Sequence, residues 1–201
     1  MTTFFNLPRR LTCLVLSLGV LAPAALWAQN PTPASKVRIS TSLGDIEAEL
    51  YADKAPKTVA NFVQYVNDKH YDGTIFHRVI PGFMVQGGGY DSQYREKKTR
   101  AAVAHEGRQA LAAGLKNTTG TLAMARTNDP QSATAQFFIN VVDNAFLDPS
   151  FQSFGYTVFG KVTSGMEVLQ KIRNTPTGAG GPFPTDVPRT PVVIQSITLL
   201  K

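Results

Sequence analysis

The chain has 201 residues, 43% of them hydrophobic, and a formal net charge of +6, which suits one domain around a single core. A single cysteine excludes a disulfide scaffold. His70, His77 and His105 lack metal-ligand spacing with one another or with carboxylates, so no metal site is expected.

The first thirty residues, "MTTFFNLPRRLTCLVLSLGVLAPAALWAQN", follow the order of a secretory signal peptide: Arg9 and Arg10, an apolar run at 11–21, then small residues ending at Ala28. That run is shorter than the roughly 20 residues a membrane span needs. Cleavage is expected after Ala28, with Ala24 or Ala25 as alternatives because Leu26 is bulky so close to the cut. An uncleaved N-terminal anchor is the competing reading. Cys13 precedes most of the apolar run, which argues against a lipid-bearing cysteine. Cleavage at Ala28 removes the only cysteine, the only tryptophan and two basic side chains, leaving 173 residues with 18 basic and 14 acidic groups, net +4. A cysteine-free domain suits an oxidising compartment. The expected location is the periplasm or the outside of the cell, with no stable membrane association after cleavage, and a monomer is expected.

Residues 29–35 form a Pro-rich leader into a domain at 36–201. "KVRISTSLGDIEAELY" at 36–51 alternates as two strands joined near Leu43-Gly44-Asp45. "APKTVANFVQYVNDKH" at 55–70 has Pro56 where a first helical turn tolerates it, and Val59, Phe62, Val63 and Val66 on one face. Strand-like runs follow at 75–80, 83–87, 121–125, 136–142, 157–162 and 192–200. A second helix is expected at 165–174, with Met166, Leu169 and Ile172 in phase. About eight strands and two helices without βαβ alternation predict a mainly β fold, an antiparallel sheet closing into a barrel. The polar stretch 88–120 exceeds an ordinary connection and reads as a functional rim or an insertion. Within it, "YREKKTR" at 94–100 is interrupted by Glu96 and has no aromatic between its cations, so it reads as a solvated loop and no nucleic-acid partner is expected.

No serine sits in a nucleophile elbow, and "GGG" at 87–89 lacks the Lys-Ser/Thr of a phosphate loop. Asn117-Thr118-Thr119 is formally a glycosylation sequon, uninformative without the host. What remains is a set of polar groups set into aromatic strands, as in "FHRVIPGFMVQGG" at 76–88. Strand alternation puts Met84 and Gln86 on one face, and Gln136 and Phe138 on one face of "AQFFIN", with Phe137 turned into the core. If these faces converge with Arg78, they form an apolar pocket with one fixed cation and two amides on its wall. His77 reads as a strand residue beside Arg78, not as an acid or base.

"FHRVIPGFMVQGG", "AQFFIN", "FLD" and "FGKV", in this order, resemble the cyclophilins, the cyclosporin-binding family of peptidyl-prolyl cis-trans isomerases; the likeness covers roughly residues 37–200. The resemblance implies a closed eight-stranded antiparallel β-barrel capped by two α-helices, with a packed interior and the active groove outside. It implies proline-containing polypeptides as partners and no cofactor. Position by position, the family's catalytic arginine falls on Arg78 and the glutamine that meets the substrate backbone on Gln86, with Gln136 beside it. The proline pocket falls on Phe83, Met84, Phe138 and Leu147. "MAR" at 124–126 takes the place of the strand that pairs with the peptide, which brings in Ala125 and Arg126.

Three positions depart from the usual pattern: Arg126 replaces Asn, Phe146 replaces Trp, and Tyr156 replaces His. In the last two the chain looks like the exported bacterial cyclophilins. Since Phe146 lacks the indole N–H that the family offers to cyclosporin, weak cyclosporin binding is expected. The leading reading is an isomerase assisting the folding of exported proteins. A proline-peptide-binding chaperone module on the same fold is the alternative, and a scaffold using segment 88–120 is a third.

Export with cleavage near Ala28 predicts that protein recovered from the periplasm or medium has an intact mass lacking residues 1–28. A full-length cytoplasmic chain retaining Cys13 and Trp27 would overturn this.

Overall fold

The computed structural model describes residues 1–3 and 36–200. The expected signal peptide and leader therefore lie outside the described residues, apart from the first three.

Alternating side chains build the first hairpin. In β1 (Lys36–Thr41) Val37 and Ile39 are buried while Lys36 and Arg38 are exposed. A turn at Ser42 and Leu43, tied by the Thr41 hydroxyl, leads into β2 (Gly44–Leu50), whose Ile46, Ala48 and Leu50 are buried. Pro56 starts α1 (Pro56–Asn67), where its missing N–H costs no helical bond. Val59, Phe62 and Val66 face the core as their spacing predicts, but Val63 is only partly buried and Tyr65 is fully packed instead.

The remaining elements are β3 (Thr74–Ile80), β4 (Met84–Asp91), α2 (Gly107–Ala112), β5 (Thr121–Met124), β6 (Phe137–Asn140) and a 3-10 turn (Ala145–Leu147). They continue with β7 (Val158–Ser164), α3 (Met166–Arg173), β8 (Thr177–Gly180), β9 (Phe183–Pro188) and β10 (Val193–Leu200). Eight strands close into a barrel in the order β1-β10-β3-β4-β6-β5-β7-β2, every neighbouring pair antiparallel. The two main helices, α1 and α3, pack on it. The mainly β barrel expected from the sequence is the architecture found.

Side chains fill the interior. Val79, Val85, Ile139 and Leu122 lie in register across β3, β4, β6 and β5, and all four are fully buried. Phe62 of α1 reaches in to meet Tyr71 at 5.2 Å, Phe159 at 5.1 Å and Phe137 at 5.6 Å between ring centres. Leu169 and Ile172 of α3 close the same core.

Two features escaped the sequence reading: the short helix α2 and the two-stranded ribbon β8–β9. Helix α2 lies in segment 88–120, and that segment is in part a structural clasp. Ala55, before α1, has no capping side chain. The buried carboxylate of Glu106 supplies the cap, accepting the Lys57 N–H at 3.0 Å, the Thr58 N–H at 2.8 Å and the Thr58 hydroxyl at 2.7 Å. The Arg100 N–H donates to the Tyr65 hydroxyl at 2.8 Å, a second tie to the same helix. The sequon asparagine, Asn117, is 1% exposed and its amide donates to Asp148 at 2.9 Å, so the folded domain does not present it for modification.

Phe137→Ala empties part of this core, and the expected loss is about 3–5 kcal/mol in denaturant unfolding. A loss below about 1 kcal/mol would contradict the inward placement of Phe137.

Candidate active site

The outer face of β4, β6, β5 and β7, with the 3-10 turn, carries a second, smaller apolar cluster. Met84, Ala123, Phe138, Leu147 and Val158 form it, with Phe83, Ala125 and Tyr156 packed at its edge. Strand register explains the arrangement: Arg78 pairs with Gln86, Gln86 with Phe138, and Phe138 with Ala123, one row across the sheet outside the row that fills the barrel.

Arg78 joins this row because of a β-bulge. Phe76 pairs with Gly87 and Arg78 with Gln86, so two steps along β3 match one along β4, and His77 is the extra residue. Regular alternation would put Arg78 on the same side as Phe76, inside the barrel. The bulge leaves Phe76 in the core and turns the Arg78 guanidinium outward, where it is exposed.

The cluster floors a groove of about 510 Å³. Ten of the eleven residues expected from the sequence line it: Arg78, Phe83, Met84, Gln86, Ala125, Arg126, Gln136, Phe138, Leu147 and Tyr156. Phe146 does not. It stands 71% exposed outside the groove, its ring stacked on Phe83 at 5.5 Å.

Three further residues that the sequence reading did not include line the groove: His77, Tyr90 and Phe183. Phe183 comes from the ribbon β8–β9, which packs on β3 and covers His77; their rings lie 5.3 Å apart. A lone Phe between prolines, over a hundred residues from His77 along the chain, carries no local signal of this contact.

Each wall is held by its own bonds. Gln86 Nε2 donates to Gln136 Oε1 at 3.0 Å, joining the two amides. Gln136 fits because residue 89 is glycine: a Cβ there would sit 2.5 Å from the Gln136 amide carbon. Asn144 Nδ2 donates to the Phe83 carbonyl at 2.9 Å and to Asn140 Oδ1 at 2.7 Å, while Asn140 Nδ2 donates to Thr121 and Asn117. This buried chain of amides ties the turn after β3 to the 3-10 turn that carries Leu147.

Arg126 donates through Nε and Nη2 to the Gly155 carbonyl at 3.0 and 2.9 Å, and its guanidinium lies 4.7 Å from the centre of the Tyr156 ring. Tyr156 in turn meets Phe138 edge-on at 5.4 Å. The backbone N–H and carbonyl of Arg126 make no hydrogen bond among the described residues.

None of the salt bridges among the described residues involves Arg78 or Arg126. His77 is 3% exposed and its Nδ1 has no hydrogen-bond partner. Burial, which the Ile75 backbone only partly offsets, with the neighbouring Arg78 cation adding to it, lowers its pKa to about 4. The imidazole is therefore neutral at physiological pH. The site thus offers an outward-turned cation without an ion-pair partner among the described residues, beside an apolar pocket and flanked by paired amides and an unpaired strand edge.

The profile of the cyclophilin type peptidyl-prolyl cis-trans isomerase/CLD family matches residues 36–199. The chain belongs to the cyclophilin family. It is 51% identical over 187 residues to peptidyl-prolyl cis-trans isomerase A of Dickeya dadantii, covering 93% of this chain and 94% of that protein. It is 50% identical over 166 residues to peptidyl-prolyl cis-trans isomerase B of Escherichia coli, covering 81% and 98% respectively. Among solved structures it resembles a cyclophilin of Cryptosporidium parvum at 28% identity and a TM-score of 0.64, over 83% of this chain and 98% of that one. The same Cryptosporidium protein in the presence of the dipeptide Ala-Pro matches with a TM-score of 0.63. This cyclophilin is thus a peptidyl-prolyl cis-trans isomerase.

The depressed pKa of His77 gives the domain an acid sensitivity. The unfolded imidazole takes up a proton near its ordinary pKa of 6.5, while the folded one resists protonation down to about 4. Stability is therefore full above pH 6.5 and falls as the pH drops through that window, by about 3 kcal/mol in all from His77. Burial lowers the pKa of His70 and His105 too, with the same sign. Urea unfolding of wild type should weaken steadily from pH 6.5 to 4.5, and His77→Gln should remove most of that slope. A flat wild-type profile would show that His77 is not held neutral.

Proposed function

We propose that this groove isomerises X–Pro bonds in exported polypeptides and so assists their folding. The observation that supports this most is an outward-turned guanidinium at Arg78, without a salt bridge among the described residues, in the same groove as the apolar cluster of Met84, Phe138 and Leu147.

The chemistry needs little more. An X–Pro bond rotates across a barrier of about 18–20 kcal/mol, and takes tens to hundreds of seconds unaided. The barrier is amide resonance, so a catalyst need only favour the twisted amide, in which the prolyl nitrogen regains a lone pair. A donor aimed at that nitrogen binds the twisted state more strongly than either planar isomer, which is differential transition-state binding. In this reading Arg78 is that donor, and its planar fork can be held in one direction. Phe83, Met84, Phe138 and Leu147 grip the ring. Gln86, oriented by Gln136, and the open backbone of Arg126 hold the peptide main chain. No covalent bond forms or breaks, so no nucleophile takes part. A groove that only bound proline would have no need of an unpaired cation at the ring nitrogen.

Arg78→Ala should lower kcat/KM by at least about a hundredfold, or about 2.7 kcal/mol, in a protease-coupled assay on short X–Pro peptides. Arg78→Lys should recover little, because an ammonium does not reproduce the fork. Phe138→Ala should weaken peptide binding together with turnover. Wild-type rates in a folded Arg78→Ala protein would sink the mechanism.

Cyclosporin binding is proposed to be weak. Phe146 stacks on Phe83 and keeps an apolar ring at the groove's edge, but it has no N–H to offer a drug carbonyl. An unmet buried polar group costs about 1–3 kcal/mol, and each 1.4 kcal/mol is about tenfold in affinity. Phe146→Trp should therefore tighten inhibition about tenfold or more with peptide turnover nearly unchanged, since Phe146 lies outside the groove. Tight inhibition of the wild type, or no gain in the variant, would refute this role for residue 146.

A further inference from the structure

We propose that this groove prefers substrates with an acidic side chain within two residues of the isomerised proline, and that Arg126 is the selecting group. The inference rests on reading the groove as the isomerase site and adds a substrate class to it.

The first observation is charge. Arg78 and Arg126 both line the groove, no carboxylate does, and neither arginine is engaged in a salt bridge among the described residues. Two unpaired cations in one groove of about 510 Å³ make a locally positive channel in a protein whose overall charge is modest.

The second observation is that Arg126 is already ordered. Its Nε and one Nη2 hydrogen bond the Gly155 carbonyl, one Nη1 hydrogen bonds the Thr127 carbonyl at 2.7 Å, and the plane rests on Tyr156. A guanidinium carries five N–H groups. Nη1 also donates to the Asn128 carbonyl at 3.5 Å, so four contacts hold the fork and an N–H on Nη2 remains for a ligand. Exposed ion pairs are weak partly because two long side chains must be frozen to make them. Here one partner is frozen before the substrate arrives.

The third observation is position. The Ala125 N–H donates to the Gln136 carbonyl at 2.9 Å, so Arg126 follows directly on the strand edge beside Gln136. Gln136 lies two residues from Phe138, the floor of the proline pocket, which is about 7 Å along a strand. A peptide extended from a ring seated on Phe138 advances about 3.3 Å per residue. Its first or second neighbour therefore comes alongside Arg126. Among the described residues, the carboxylate of Glu96 lines an adjoining recess that Arg126 also borders. It forms no salt bridge with Arg126, and its negative charge works against an acidic substrate.

The test compares kcat/KM for peptides carrying Glu or Gln at each of the two positions before and the two positions after proline, at low salt. At one position or more, Glu should be favoured about threefold to tenfold. The preference should shrink toward unity near 1 M salt, where the screening length is only about 3 Å. Arg126→Gln should bring the ratio to about one, Arg126→Lys should keep part of it, and Glu96→Gln should increase it. Because Arg126 also braces Gly155, the salt series on wild type stands as a readout independent of any variant. A wild-type Glu:Gln ratio within twofold at all four positions overturns the proposal, as does a ratio that salt leaves unchanged or one that survives in a folded Arg126→Gln protein, which would assign the selection to Arg78. Failure to turn over even the neutral peptides would instead overturn the reading of this groove as the isomerase site.

Discussion

An eight-stranded barrel is just wide enough for side chains to fill it, and everything else about this cyclophilin follows from that limit. Val79, Val85, Ile139 and Leu122 close the middle of the barrel, and Phe62, Phe137 and Phe159 pack around them. No peptide can enter such an interior. Binding is forced onto the outer face, where successive side chains of the same strands alternate with the core. Val79 and Val85 lie next in sequence to Arg78 and Gln86, and Phe137 and Ile139 flank Phe138. The groove is stiff because its floor is the back of the core.

The walls are fixed by satisfied polar groups. The amide chain through Asn117, Asn140 and Asn144 lies in a nearly water-free layer and binds Phe83 and Leu147 into one unit. Buried polar networks specify geometry when every member has a partner, and these members have theirs. His77 is the exception, with an unpartnered Nδ1 under the ribbon β8–β9. The same bulge that puts His77 there turns Arg78 toward the groove, so an acid-sensitive group is the consequence of aiming the cation outward.

Segment 88–120 does two jobs that no single stretch of it announces. Tyr90 lines the groove, while Glu106 caps helix α1 from outside and thereby fixes the helix whose Phe62 enters the barrel. A rim and a clasp are both present. Their partners, Lys57 and Thr58, lie about fifty residues away along the chain, which is why length alone left the role of this segment open.

Much of the fold and of the groove was legible in the chain itself, because a strand's side chains alternate with a period of two whatever surrounds it. That period separated Phe137 from Phe138 and set Met84 beside Gln86, and helical spacing placed Phe62 and Leu169 inward. Local alternation fails where an extra residue shifts the phase. Periodicity would have paired Arg78 with Phe76, and only the register of β3 against β4 shows the bulge that parts them. Contacts between distant segments were beyond the sequence for the same kind of reason: Phe183 over His77, Glu106 on α1, and Phe146 stacked on Phe83. Such contacts are made by strands and loops far apart along the chain, and closing the barrel is what brings them together.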